Sequence, residues 1–74
     1  MKRSERLARE GKVEVYIGSV EVAKVLTKDE LCAKARAHDL RYIGTDYDAL
    51  YDGLEVFANV YEDNQTNDLY ATLE

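Results

Sequence analysis

The chain has 74 residues, 46% of them hydrophobic, and a formal net charge of −5. A chain of this length forms one domain with a small core, because it buries only about 60% of the surface that the unfolded chain exposes. A single cysteine and a single histidine exclude an internal disulfide and the usual zinc motifs. The first twenty residues carry charges throughout and lack the apolar run of a signal peptide or membrane span, so we expect a cytoplasmic protein.

The charges are divided between the two halves of the chain. Residues 1–41 hold all ten Lys and Arg against seven acids, whereas residues 42–74 hold eight acids and no Lys or Arg. A field of one sign attracts surfaces of the opposite sign and repels nucleic acid. The second half therefore favours a basic protein partner over specific nucleic-acid binding.

Residues 1–11 are a charged segment, and residues 12–74 are expected to form the domain. Residues 4–10 are compatible with a short helix, loosely attached or frayed, that ends at Gly11. Residues 13–17 then alternate apolar and polar side chains, and residues 20–26 are again rich in β-branched side chains. Two such runs separated by Gly18-Ser19 predict an antiparallel hairpin with a type II′ turn.

The segment from Thr27 to Glu30 has the pattern of a capping box, which predicts a helix over residues 28–39. One side of this helix is small and apolar, so we expect it to pack on one face of a sheet. The residues on that side are Leu31, Cys32, Ala35 and His38.

Residues 45–53 read TDYDALYDG and predict a second, short helix. Thr45 would cap this helix, an aspartate would follow at its third position, and Gly53 would lie just past its end. Tyr47 and Tyr51 would then share one side, with Asp48 and Asp52 in a row beside them. The pattern leaves open whether the two phenol rings are buried or exposed.

After Gly53 the alternation returns, with Val56, Ala58 and Val60 on one face and Phe57, Asn59 and Tyr61 on the other. A polar loop follows, and residues 69–73 alternate again, which predicts a second hairpin. The expected fold is a small α+β domain: an antiparallel sheet of two hairpins, with the central helix packed on one face and a second short helix. The competing interpretation makes residues 20–26 helical, so that residues 20–40 form a helix-turn-helix.

No residue pattern supports catalysis or a cofactor. Cys32 and His38 lie about 120° apart around a helix, so they cannot pair within it. Asp46, Asp48 and Asp52 have the wrong spacing for a calcium loop, because the third aspartate and the glycine come too late. We therefore expect no catalytic residue, metal or cofactor, and a carboxylate-based enzyme is the weakest hypothesis.

The leading hypothesis is a small interaction protein whose acidic, tyrosine-bearing second half binds a basic surface of another protein. Nucleic-acid mimics and inhibitors of the phage or plasmid type act in this way. The alternative is a nucleic-acid-binding regulator that uses the basic N-terminal arm and the helix-turn-helix. The residues expected at the partner surface are Asp46, Tyr47, Asp48, Tyr51, Asp52, Glu55, Glu62, Asp63 and Asp68.

Overall fold

Alternation of inward and outward side chains produces five strands, which close into a barrel in the computed structural model. The structure describes residues 3–74; Lys2, the first cation of the predicted basic arm, lies outside this range. The elements in chain order are α1 (Arg3–Arg9), β1 (Lys12–Ile17), β2 (Ser19–Val25), α2 (Lys28–Ala37), β3 (Leu40–Tyr51), β4 (Leu54–Asp63) and β5 (Leu69–Leu73).

The strand order around the barrel is β1-β2-β5-β4-β3, and β1 pairs with β3 to close it. Strands β3, β4 and β5 form an antiparallel meander, and β1 and β2 form an antiparallel hairpin. The two units join through a parallel pairing of β2 with β5 and the antiparallel pairing of β1 with β3. Both joining contacts are short, with two residue pairs each.

Small side chains fill the centre of the barrel. A narrow barrel has little interior space, so alanine and valine satisfy it where larger residues would not. Larger, half-buried residues such as Ile17, Ile43 and Leu69 pack against this cluster. The buried cluster consists of Val13, Val15, Ala23, Ala49, Ala58, Val60 and Ala71.

Helix α1 packs against β1 and β3. Its Leu7 is only 6% exposed, and Ser4 is also buried. The Ser4 hydroxyl oxygen accepts a hydrogen bond from the Gly53 amide at 2.7 Å, which ties the helix to the β3–β4 turn. Gly11 follows with φ +72°, a left-handed conformation that ends helices at little cost when the residue is glycine.

The predicted α+β fold, a sheet of two hairpins with a central helix packed on one face, is wrong, because the chain is mostly strand and closes into a barrel. The capping box is present, with the Thr27 hydroxyl and the Glu30 carboxylate each bonded to the other residue's amide, but α2 has no buried residue. Cys32 and Ala35 are exposed, while Leu31 and His38 are only half buried. The physical reason is closure: a barrel uses its inner face as the core and offers no open apolar sheet face for a helix to cover.

The second predicted helix is also wrong, because residues 45–51 form the second half of β3. Thr45 does not cap a helix; its hydroxyl donates to the Asn59 side chain on the neighbouring strand. Asp52 and Gly53 both have positive φ, +52° and +77°, and connect Tyr51 to its partner Leu54. Positive φ at both positions is the type I′ geometry that Asp-Gly favours in hairpins.

The hairpin at Gly18 is confirmed, but its register differs from that of a two-residue turn. Tyr16 pairs with Val20 and Ile17 with Ser19, so Gly18 alone lies between paired residues. A two-residue turn would pair Ile17 with Val20, so the observed register of β2 differs by one residue. This difference places Val20 and Val22 on the outside of the barrel and Ala23 in the core. Because residues 19–25 are a strand, the helix-turn-helix interpretation is wrong.

The second predicted hairpin is confirmed. Strand β4 pairs with β5 from Ala58–Leu73 to Glu62–Leu69. Val56, Ala58 and Val60 face inward, as their spacing predicts. Within residues 3–74, neither helix has the length and apolar character needed to cross a bilayer.

Candidate functional site

The nine predicted partner-binding residues do not form one surface. Tyr47 and Tyr51 are half buried and pack against the core cluster. In a strand, residues two and four positions apart point to the same face, so both rings share the inward side with Ala49. Asp48, between Tyr47 and Ala49, points outward. Asp48 and the two tyrosines therefore lie on opposite sides of β3.

Three other predicted residues lie toward the far end of β4. Glu62 is half buried, and its carboxylate lies 3.9 Å from the Arg41 guanidinium. Asp68 is exposed in the loop before β5, where it accepts a hydrogen bond from the Thr66 hydroxyl at 2.8 Å. Asp63 is fully buried, so it cannot contact a partner.

Asp63 instead holds the end of α2 against the barrel. One carboxylate oxygen accepts from the Gln65 amide at 2.8 Å, and the other lies 3.0 Å from His38 Nδ1. The Gln65 hydrogen bond lowers the pKa of Asp63 against the opposing effect of burial, and the proximity of His38 adds to the lowering. His38 and Asp63 are 25 residues apart and carry no shared sequence signal, so the pair could not be foreseen.

The remaining predicted residues are exposed carboxylates. Asp46 and Asp52 lie in left-handed conformations at a bulge and a turn of β3. Asp48 and Glu55 lie on the outer face of the β3–β4 ribbon, where Asp48 pairs with Phe57 and Glu55 with Leu50. Diagonal neighbours on one face of an antiparallel pair lie within reach of each other. Asp48 and Glu55 are thus the predicted residues that the fold brings together on an open surface.

A groove of about 440 Å³ runs across this outer face, between β1, β3 and β4. We call it the acidic-aromatic groove. Tyr16 is 42% exposed and Phe57 is 54% exposed, unusually open positions for rings of this size. The groove is lined by Tyr16, Asp48, Leu50, Glu55 and Phe57, with Ala49 and Val56 beneath them.

Strand register explains why these side chains converge. Glu14 pairs with Leu50 and Val15 with Ala49, and Tyr16, the next residue of β1, lines the same groove as Asp48. Asp48 in turn pairs with Phe57 on the next strand. The groove therefore brings together a phenol ring, a carboxylate and a phenyl ring from three neighbouring strands.

The groove carries negative charge only. Among residues 3–74, no Lys, Arg or His lines it, and no ion pair involves Asp48 or Glu55. The neighbouring carboxylate of Glu14 is different, because Arg3 Nε lies 3.1 Å from its Oε1 and covers it. Asp48 and Glu55 thus keep their charge available to a partner.

Sequence reasoning missed Tyr16 and Phe57. Both stand at outward positions in strands that the alternation identifies correctly: Tyr16 alternates with Val15 and Ile17, and Phe57 with Val56 and Ala58. A large aromatic residue on the outward side of an alternating strand was the available signal. The sequence prediction of a helix over residues 45–53 hides this signal, because those residues include the part of β3 that lies between the two rings.

Comparison with known proteins found no matching family model, no similar curated sequence and no similar solved structure. Within the described residues, no three His, Cys, Asp or Glu side chains come together in a way that could hold a metal ion.

Proposed function

We propose that this protein is a non-enzymatic binding protein whose acidic-aromatic groove takes up a basic surface of a partner protein. The observation that carries the proposal is the convergence of two exposed rings and two unpaired carboxylates in one groove, with no cation among its described lining residues. Aromatic side chains provide rigid contact area, and carboxylates provide charge-assisted hydrogen bonds to Lys and Arg.

The negative charge around the groove also favours a partner with a basic surface. Residues 42–74 contribute eight acids and no Lys or Arg, and strands β3 to β5, which hold most of them, are neighbours in the barrel. A field of this kind raises the association rate with a positively charged surface and weakens as salt is added. Such a surface on the partner ordinarily binds phosphate groups, so the protein would act by competing with nucleic acid for it.

The test is affinity capture from the source cell with two variants of equal net charge. Asp48→Asn with Glu55→Gln removes both groove carboxylates, whereas Glu10→Gln with Asp29→Asn removes two exposed carboxylates elsewhere. The proposal predicts that the first variant loses a basic protein that wild type retains, and that the second variant keeps it. Quantitative mass spectrometry of the retained proteins measures the difference.

Two results would contradict the proposal. The first is equal retention by both variants, which would mean that the groove carboxylates do not take part. The second is equal loss by both, which would mean that total charge rather than the groove attracts the partner. Addition of duplex DNA to the capture gives a further check, since a nucleic-acid-binding partner should be released in proportion to its affinity for DNA.

A further inference from the structure

We propose that the acidic-aromatic groove is a recognition site for an arginine side chain of the partner, with the guanidinium held between Tyr16 and Phe57 and bonded to Asp48. This inference rests on the proposed function and adds the chemical identity of the group that is bound.

The placement of the two rings suits a planar cation. Tyr16 on β1 and Phe57 on β4 come from strands on either side of β3, and both rings line the same groove. Cation–π attraction acts within ~6 Å of a ring centroid. A guanidinium that enters the groove thus meets an aromatic ring from each flanking strand.

Asp48 supplies the directional contact. It pairs with Phe57 on the neighbouring strand and lines the groove with both rings. A carboxylate accepts two parallel hydrogen bonds from a guanidinium, and the flat faces of the guanidinium stay free to stack on aromatic rings. An ammonium group is compact, more strongly hydrated and not planar, so lysine offers neither the parallel pair of hydrogen bonds nor a flat face to stack.

The chain already binds a guanidinium on this face. Arg3 lies against Glu14 with an Nε–Oε1 distance of 3.1 Å, and Glu14 pairs with Leu50, which lines the groove. The Glu14 side chain is only 9% exposed. Asp48 is exposed on the neighbouring strand β3 and shares its groove with two rings.

The experiment is an NMR titration of the full chain with three peptides of identical length. Each has three basic positions separated by glycines, filled with arginine, lysine or uncharged citrulline. The arginine peptide should bind at least about 3-fold more tightly than the lysine peptide at low salt, and citrulline should not bind. Each of Tyr16→Leu and Phe57→Leu should weaken arginine binding about 2- to 5-fold, as expected for one exposed cation–π contact.

Two kinds of control keep the result interpretable. Tyr42 is an equally exposed ring outside the groove, so Tyr42→Leu should leave arginine binding unchanged. Tyr16→Phe and Phe57→Tyr keep the rings and should keep the affinity. A dispersed spectrum in each variant shows that a loss of binding is not a loss of folding.

The outcomes separate this inference from the proposed function. Equal binding of arginine and lysine peptides, with no effect of the two leucine variants, would overturn the arginine site while leaving an acidic binding surface in place. Failure of both basic peptides to bind at low salt would overturn both proposals. Preference for arginine that depends on both rings supports both.

Discussion

The contact between Gly44 and Tyr47 decides where the Tyr47 ring lies. A Cβ atom on Gly44 would stand 2.7 Å from the Tyr47 hydroxyl oxygen and 2.8 Å from its Cε2, closer than non-bonded atoms approach. Only a residue without a side chain leaves space for the ring to pack inward. A Cβ at position 44 would therefore force the Tyr47 ring to shift, so Gly44 matters through packing rather than through its backbone angles.

Gly44→Ala is expected to reduce the free energy of unfolding by about 1–3 kcal/mol, the usual cost of overpacking. Urea denaturation measures it, and Tyr47→Leu provides the control, because removing the ring removes the clash. The cost of Gly44→Ala should fall clearly in the Tyr47→Leu background. An equal cost in both backgrounds would mean that the ring does not pack against Gly44.

The Asp63 carboxylate makes a contribution to the free energy of unfolding that depends on pH. Its pKa is lowered, first by the Gln65 amide and then by His38, whereas an unfolded aspartate titrates near pH 3.9. A carboxyl whose folded pKa is depressed stabilises the fold fully above its unfolded pKa and loses that effect as the pH falls through the folded pKa.

Asp63→Asn should therefore be destabilised relative to wild type near neutral pH, and the difference should shrink below about pH 4. Urea unfolding of both proteins at pH 6 and pH 3 tests this. A difference that stays constant or grows on acidification would contradict the assigned role of the Asp63 carboxylate.

At the scale of elements, the β3–β4 hairpin depends on its two-residue turn. Asp52 has φ +52°, a conformation that costs most side chains about 1–2 kcal/mol and that Asp and Asn tolerate better. Asp48, on the same strand, has ordinary extended geometry, so the two aspartates form a matched pair for substitution.

Asp52→Ala is expected to cost about 1 kcal/mol more stability than Asp48→Ala, because only position 52 needs a left-handed backbone. Asp52→Asn should be nearly neutral. Thermal unfolding compares the three variants. Equal losses for the two alanine variants would indicate that the turn geometry contributes nothing.

Comparison of the predicted and observed elements shows which sequence signals are sufficient to locate a strand or a helix. Alternation located β1, β4 and β5, and the capping box located α2, because these signals depend on neighbouring residues alone. Residues 45–53 carried two conflicting local signals, an N-cap at Thr45 and a hairpin turn at Asp52-Gly53. Pairing of β3 with both β1 and β4 decided between them, and that pairing is a property of the whole barrel.

At the scale of the whole molecule, barrel closure determined both the error in fold class and the position of the groove. A sheet with an open apolar face would have needed α2 as a cover, whereas the closed barrel leaves α2 attached by polar contacts such as Lys34 Nζ over the Tyr70 ring at 4.6 Å. Closure also places β1 beside β3, which brings Tyr16 to Asp48. The division of charge between the two halves of the chain could be predicted from the sequence. The placement of Tyr16 and Phe57 beside the carboxylates could not, because it depends on closure of the barrel.

The central claim is that the acidic-aromatic groove is the binding surface, and chemical-shift mapping tests it most directly. In a titration of ¹⁵N-labelled protein with the arginine peptide, the largest amide shifts should fall at Tyr16, Asp48 and Phe57 and in the adjoining residues of β1, β3 and β4. They should diminish as salt is added, because the contacts are charge-assisted. Shifts centred instead on Glu62 and Asp68, or spread evenly over all exposed acids, would contradict the claim.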